Sequence, residues 1–258
     1  MSFPVDDAFF ALHADLPREG PGEAADVAWA AEVAGLRRDA RILDAASGPG
    51  GDLAALLRAA PAGHVTAIDL HPPFVAAART RWGNHPQVTL RFGDMTEPEG
   101  PFDFIWCAGA IYFLGIEAAL LAWAPKLAPG GAIAFSEPCL FTDAPSEGAI
   151  AFWEGYARLT DASGIAVQVQ AAGFTTLATR VIGDIGWEGY YRPMEARIAG
   201  LRPVADAALA AVLDQAEGEI AAWRAHRVET GYLLSVVRPA RVPGPVLGLG
   251  PGPGALAS

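Results

Sequence analysis

The sequence predicts an α/β fold built on one seven-stranded, mostly parallel sheet with helices on both faces. Three observations carry this. Short apolar runs alternate with helix-length segments through the first 136 residues. Those runs are continuously apolar rather than alternating, as strands covered on both faces must be. A glycine-rich turn, Ser47-Gly48-Pro49-Gly50-Gly51, joins the first run to the helix that follows.

Each element has its own signal. Residues 24–36 are Ala-rich with apolar side chains at helical spacing, and Gly35 falls near the end. Residues 41–46 form the first strand and run into the glycine turn. A helix over 52–60 closes at Pro61, and residues 64–69 are the second strand. The helix over 73–82 has Pro in its first turn, where a missing N–H costs nothing. Strands three and four are residues 88–92 and 102–107. A helix over 117–127 stops before Pro129-Gly130, and strand five is 131–136. Beyond it the pattern predicts helices over 146–160 and 165–172, a sixth strand over 173–182 and a seventh over 231–238. Residues 183–230 read as a helical insertion between strands six and seven. Residues 1–238 are therefore expected to form a single domain, followed by a Pro/Gly-rich tail over 239–258 without periodicity.

Composition narrows the partners. The 258 residues hold 18 Lys and Arg against 29 Asp and Glu, a net charge of −11. Phosphate backbones are gripped by clustered cations, and Lys126 is the sole lysine, so neither nucleic acid nor an anionic membrane is expected. The longest apolar run, 104–114, is short of the ~20 residues that a membrane helix needs. The acidic N-terminus lacks the apolar stretch of a signal peptide. Cys107 and Cys139 are the two cysteines, too few for a disulfide framework. A soluble, cytoplasmic protein is the expectation.

The chemistry concentrates where strands end. Glycines after strand one let a ligand approach the backbone, and the following helix N-terminus offers free N–H groups. Asp44 lies just before them. Asp69 ends strand two, where an acid faces the ribose hydroxyls of a bound nucleoside. Asp94 follows strand three, placed to meet an adenine amino group, with Met95 against the ring. Three acids at the ends of three successive strands form a pattern that any one alone does not.

This stretch resembles the class I S-adenosylmethionine-dependent methyltransferases, whose fold is Rossmann-like. That family's D/E-x-G-x-G-x-G motif reads here Asp44-Ala-Ala46-Ser-Gly48-Pro-Gly50, with Ala46 for the first glycine. Phe102-Asp-Phe-Ile-Trp-Cys107 resembles its fourth motif and Leu127-Ala-Pro-Gly-Gly131 its turn before strand five. The resemblance implies S-adenosylmethionine as cofactor, with Asp44, Ala46, Gly48, Gly50, Asp69, Leu70, Asp94, Met95 and Cys107 around it. Arg18-Glu-Gly20-Pro-Gly22 resembles the R-Q-G-P-G loop of a bacterial group of these enzymes, and Ala108-Gly-Ala-Ile-Tyr112 resembles that group's E-G-A-I-Y. The likeness implies a loop folded over the methionine end of the cofactor, with Arg18 near its carboxylate and Gly20 in contact.

The acceptor side is read from position. Glu137 at the end of strand five and Tyr112 after strand four lie where an acceptor would sit and are the candidate catalytic residues. Glu137 either takes a proton or pairs with a cationic substrate, or it is a structural cap. Trp153, Trp187, Tyr190, Tyr191 and Trp223 either line a pocket for an apolar or cationic small molecule or are helix-packing aromatics. No metal is expected. Where catechol-type relatives keep magnesium ligands, this chain has Ala108-Gly109 and Glu137-Pro138, and its five histidines show no ligand spacing. Two look-alikes are set aside by position. His71-Pro72-Pro73-Phe74 resembles an amino-methyltransferase signature and Pro138-Cys139 a pyrimidine-methylating nucleophile, but both signatures belong after strand four. The expected function is metal-independent methyl transfer to a small molecule by in-line displacement. A non-catalytic nucleoside-binding protein and an NAD-dependent oxidoreductase are the alternatives, the latter disfavoured by the missing G-x-G-x-x-G.

Overall fold

The computed structural model describes residues 7–156 and 158–240. The chain order is α1 (Asp7–His13), α2 (Ala24–Ala34), β1 (Arg41–Ala45), α3 (Leu53–Ala59), β2 (His64–Asp69), α4 (Pro72–Trp82), β3 (Val88–Phe92), β4 (Phe102–Cys107), α5 (Ile116–Trp123) and β5 (Leu127–Leu140). There follow α6 (Glu147–Ala151), β6 (Thr160–Asp161), α7 (Ala162–Ala171), β7 (Phe174–Val181), α8 (Asp184–Leu201), α9 (Ala207–His226) and β8 (Thr230–Pro239). The sheet order is β3-β2-β1-β4-β5-β8-β7, with β6 pairing β5 off this path. Pairing is parallel from β3 through β5, whereas β8 runs antiparallel to both β5 and β7.

Alternate residues of each inner strand feed two separate cores. Ile42, Phe104, Ala132, Ala134 and Leu234 face one, which α1, α2, α3, α8 and α9 close. Leu43, Ile105, Ile133, Phe135 and Leu233 face the other, which α5 and α7 close. Both faces are therefore dry, which is why these strands show no polar alternation.

Several expectations shift. The expected helix over 146–160 ends at Ala151, and Gly155 takes a left-handed φ of 87° that a continuing helix does not allow. The chain then gives the two-residue strand β6, so the expected sixth and seventh strands are β7 and β8. Within the expected helical insertion α9 starts at Ala207, where Asp206 caps it by accepting the Leu209 N–H at 2.9 Å. β5 begins at Leu127 rather than 131, since Leu127 pairs with Phe102. α8 and α9 connect β7 to β8. Helix α1 has no counterpart in the sequence reading, and the tail over 241–258 lies outside the described residues. Among the described residues no helix is long and apolar enough to cross a membrane.

Candidate active site

Parallel pairing brings the carboxyl ends of β1, β2, β4 and β5 to one edge. Asp44 pairs with Trp106, Asp69 with Phe92, Cys107 with Phe135, and Glu137 lies two residues further along. Asp44 is 3% exposed, and its Oδ2 has no hydrogen-bond partner. Burial pushes its carboxyl well above the usual range. The charges of Asp52 and Asp69 push the same way, and Arg18 opposes them.

The glycine turn follows directly. Ala46, Gly48 and Gly50 all have positive φ, at 58°, 54° and 83°. Left-handed backbone suits glycine and strains alanine, so Ala46 holds the family's glycine conformation without the glycine. The turn is anchored from β2. Asp69 Oδ2 accepts the Gly48 N–H at 2.8 Å, and Oδ1 accepts the His71 N–H at 2.8 Å. Asp69 thus sets the turn after its own strand and the loop after β1; Oδ1 also meets the His71 ring Nδ1 at 3.3 Å, while Oδ2 has the Gly48 N–H alone. Leu70 beside it is exposed.

The N-terminal loop lies over this turn. Arg18 donates to the carbonyls of Gly20 and Gly22 and pairs with Asp52 at 3.3 Å. Asp52 also accepts the Trp106 Nε1–H at 2.9 Å, tying the loop to β4. A Cβ on Gly48 would come within 3.2 Å of the Glu19 side chain, and Gly20 approaches Gly109. The sequence reading brought Arg18 and Gly20 here but missed Asp52 and Glu19. Asp52 had a signal: it is the residue before helix α3, directly after the glycines.

Asp94 is exposed, and its Oδ1 accepts the Thr96 N–H and hydroxyl at 2.8 Å each, a local turn after β3. Met95 packs on the second core, and its carbonyl accepts the Trp123 indole N–H at 2.8 Å. Cys107 is fully buried, and burial pushes its thiol up. Burial also pushes Cys139 up to about 12, which leaves a thiol rather than a nucleophilic thiolate.

At the acceptor end, Glu137 is 2% exposed. Its Oε1 accepts the Tyr156 hydroxyl, and its Oε2 is buried without a partner. Burial raises this carboxyl to about 7, against the lowering effects of the Tyr156 hydrogen bond and the Arg158 charge. Tyr156 meets Tyr112 edge-on, with ring centroids 5.8 Å apart. Burial pushes Tyr112 up to about 12, so it stays a hydroxyl at neutral pH and can orient but not deprotonate. Tyr156 was missed because its segment reads as a helix. The edge as a whole brings together an orphaned carboxylate oxygen, a left-handed turn and, in Asp69, an acid anchored at the end of β2.

Comparison with known proteins agrees. A family model described as a methyltransferase domain matches residues 42–131. In fold, the chain is similar to a methyltransferase from Geobacter sulfurreducens solved with S-adenosyl-L-homocysteine: TM-score 0.77 and 20% identity, covering 91% of this chain and 98% of that one. A second such complex, from Thiobacillus denitrificans, gives a TM-score of 0.76 and 19% identity, covering 93% and 100%. In sequence, the chain is 29% identical over 227 residues to a trans-aconitate 2-methyltransferase of Mycobacterium tuberculosis, covering 81% of this chain and 82% of the relative. The glycine turn, its acids and these likenesses converge on S-adenosylmethionine-dependent methyl transfer: the chain carries a methyltransferase domain over residues 42–131 and is similar in fold to class I enzymes of that kind.

Proposed function

We propose that this enzyme methylates a small molecule without a metal, and that the two halves of the carboxyl edge divide the work. The observation that carries the reading is the pair of buried carboxylates, Asp44 and Glu137, each with one oxygen left unpartnered. Burying a polar atom without a partner costs roughly 1–3 kcal/mol, a cost that a ligand on each side would offset.

On the cofactor side, Asp44, Ala46, Gly48, Gly50, Asp69, Leu70, Asp94, Met95 and Cys107 would hold S-adenosylmethionine, under the loop carrying Arg18 and Gly20. When bound, the cofactor supplies an electrophilic methyl group on a sulfonium. The protein's task is then to hold the acceptor in line and keep water out. Glu137 Oε2 would take the acceptor's proton, helped by a carboxyl that burial has brought near neutrality. Tyr112 would orient the acceptor as a hydroxyl donor. Ala108-Gly109 and Glu137-Pro138 offer no magnesium ligand set, which supports metal-free transfer. Residues 1–238 are read as one domain, with 183–230 covering the acceptor. Two buried, unpaired cysteines suit the reducing compartment of a cytoplasmic enzyme.

Trans-aconitate, which the curated relatives' names give as their substrate, is the acceptor to try first. The test is Glu137→Gln, with cofactor titrated calorimetrically and methyl transfer followed by mass gain across a metabolite panel. Unchanged cofactor affinity with turnover reduced at least tenfold supports the assignment, because an interaction made only with the acceptor does not enter cofactor binding. Lost cofactor affinity makes Glu137 structural, and full turnover removes it from the site.

A further inference from the structure

Among the described residues the Glu137 carboxylate is held at one oxygen and free at the other. Its Oε1 accepts the Tyr156 hydroxyl, and its Oε2 is buried with no partner. The residue that holds it stands 19 positions further along the chain.

Tyr156 is braced on several sides. A turn after α6 sets its backbone: the Tyr156 N–H donates to the Trp153 carbonyl at 2.9 Å, and Gly155 supplies the positive φ that such a turn needs at its third residue. The Tyr156 ring meets Trp153 with centroids 6.4 Å apart, and Tyr112 edge-on at 5.8 Å. Trp153 is itself pinned. Its indole N–H donates to Thr230 Oγ1 at 2.6 Å, and the Thr230 hydroxyl donates to the Cys139 carbonyl at 2.9 Å. Cys139 lies two residues beyond Glu137 on β5. These contacts close a ring. It leaves β5 at Glu137, passes through Tyr156, Trp153 and Thr230, and returns to β5 at Cys139. A satisfied network of this kind fixes where the Tyr156 hydroxyl points before any ligand arrives.

A hydrogen bond donated to a carboxylate favours its charged form. Burial and the charge of Glu137 push the Tyr156 phenol well up, so it remains a donor at neutral pH. The titratable neighbours Tyr112, Cys107 and Cys139 are also pushed up by burial and stay neutral. Arg158 is exposed and donates to the Leu114 carbonyl at 3.2 Å.

We propose that Tyr156 is the positioning residue of the proton transfer: its hydroxyl holds Oε1 so that Oε2 is presented, charged and free, to the acceptor. The acceptor gives its proton to Oε2 and the electron pair left behind to the methyl carbon, as that carbon's bond to sulfur breaks. The proposal rests on Glu137 as the proton acceptor and deepens that reading.

The experiment uses the full chain labelled with carbon-13 at the glutamate side-chain carboxyls, the Glu137 signal being the one that Glu137→Gln removes. In the wild type this signal should titrate with a midpoint of about 7. Tyr156→Phe keeps the half-buried ring and removes the hydroxyl. It should move the midpoint up by about one pH unit, the worth of one hydrogen bond. Trp153→Phe keeps a ring but loses the bond to Thr230, and should move the midpoint the same way by less. S-adenosylhomocysteine affinity should be unchanged in both. With an acceptor in hand, Tyr156→Phe should lower kcat at pH 7 about fivefold and recover it by about pH 9, as the raised midpoint requires. An unmoved midpoint in either folded variant, or a loss of turnover that alkaline pH does not restore, would overturn the proposal. Full turnover in Glu137→Gln would overturn the base assignment itself, and this proposal with it, whatever the titration shows.

Discussion

Replacing Glu137 by Gln should make this protein more stable at alkaline pH. The folded state holds the Glu137 carboxyl at about 7, against 4.5 for the free side chain, because the group is buried and only one oxygen is hydrogen-bonded. Between those two pH values the folded protein keeps a proton that the unfolded chain has released. Stability therefore falls with rising pH, by about 1.4 kcal/mol per pH unit across the window and roughly 3 kcal/mol in all. Below pH 4.5 both states are protonated and the penalty is absent; above about 7 it is present in full. Glutamine is neutral at every pH and still accepts the Tyr156 hydroxyl. Urea unfolding of both proteins at pH 5, 6, 7 and 8 should thus show the variant gaining on wild type steadily, to an advantage on the order of 1–3 kcal/mol at pH 8. A variant that is less stable at pH 8, or whose difference from wild type does not change with pH, would refute the argument. Either result would mean that Glu137 is ionised and satisfied in the fold, not held in reserve for a ligand.

Other expectations follow the same logic on the cofactor side. Asp69→Ala frees the Gly48 and His71 N–H groups together and should weaken S-adenosylhomocysteine binding by ~1.5–3 kcal/mol by calorimetry. Gly48→Ala puts an L side chain at φ 54° against Glu19, and should lower unfolding stability by about 1–2 kcal/mol in urea titration. Methyl transfer should be unchanged after dialysis against EDTA, measured by product mass; loss of turnover restored by magnesium would contradict the metal-free reading.

What was legible in the chain was what local pattern controls. The expected strands 64–69, 88–92 and 102–107 coincide with β2, β3 and β4: β4 is a largely buried apolar run inside the sheet, and β3 at the edge is marked by Val, Leu and Phe alternating with Thr and Arg. The glycine turn and its acids were legible because backbone geometry restricts which residues fit there. What stayed hidden depends on distant partners. Tyr156 becomes notable only because a chain reversal after Ala151 carries its hydroxyl to Glu137. β6 exists because β5 runs on to Leu140 and offers Thr160 and Asp161 an edge to pair with; two residues have no periodicity to detect.

The odd–even division of the strands has a consequence for how this enzyme can change. Asp44 follows the even-numbered rhythm of β1 and rises from the core that α1, α2, α3, α8 and α9 close. Glu137 follows the odd-numbered rhythm of β5 and rises from the core under α5 and α7. The two buried carboxylates thus stand on separate foundations that share only the sheet between them. Packing changes beneath α5 and α7 can shift Glu137 while the setting of Asp44 is preserved. A lineage built this way can explore new acceptors one layer at a time.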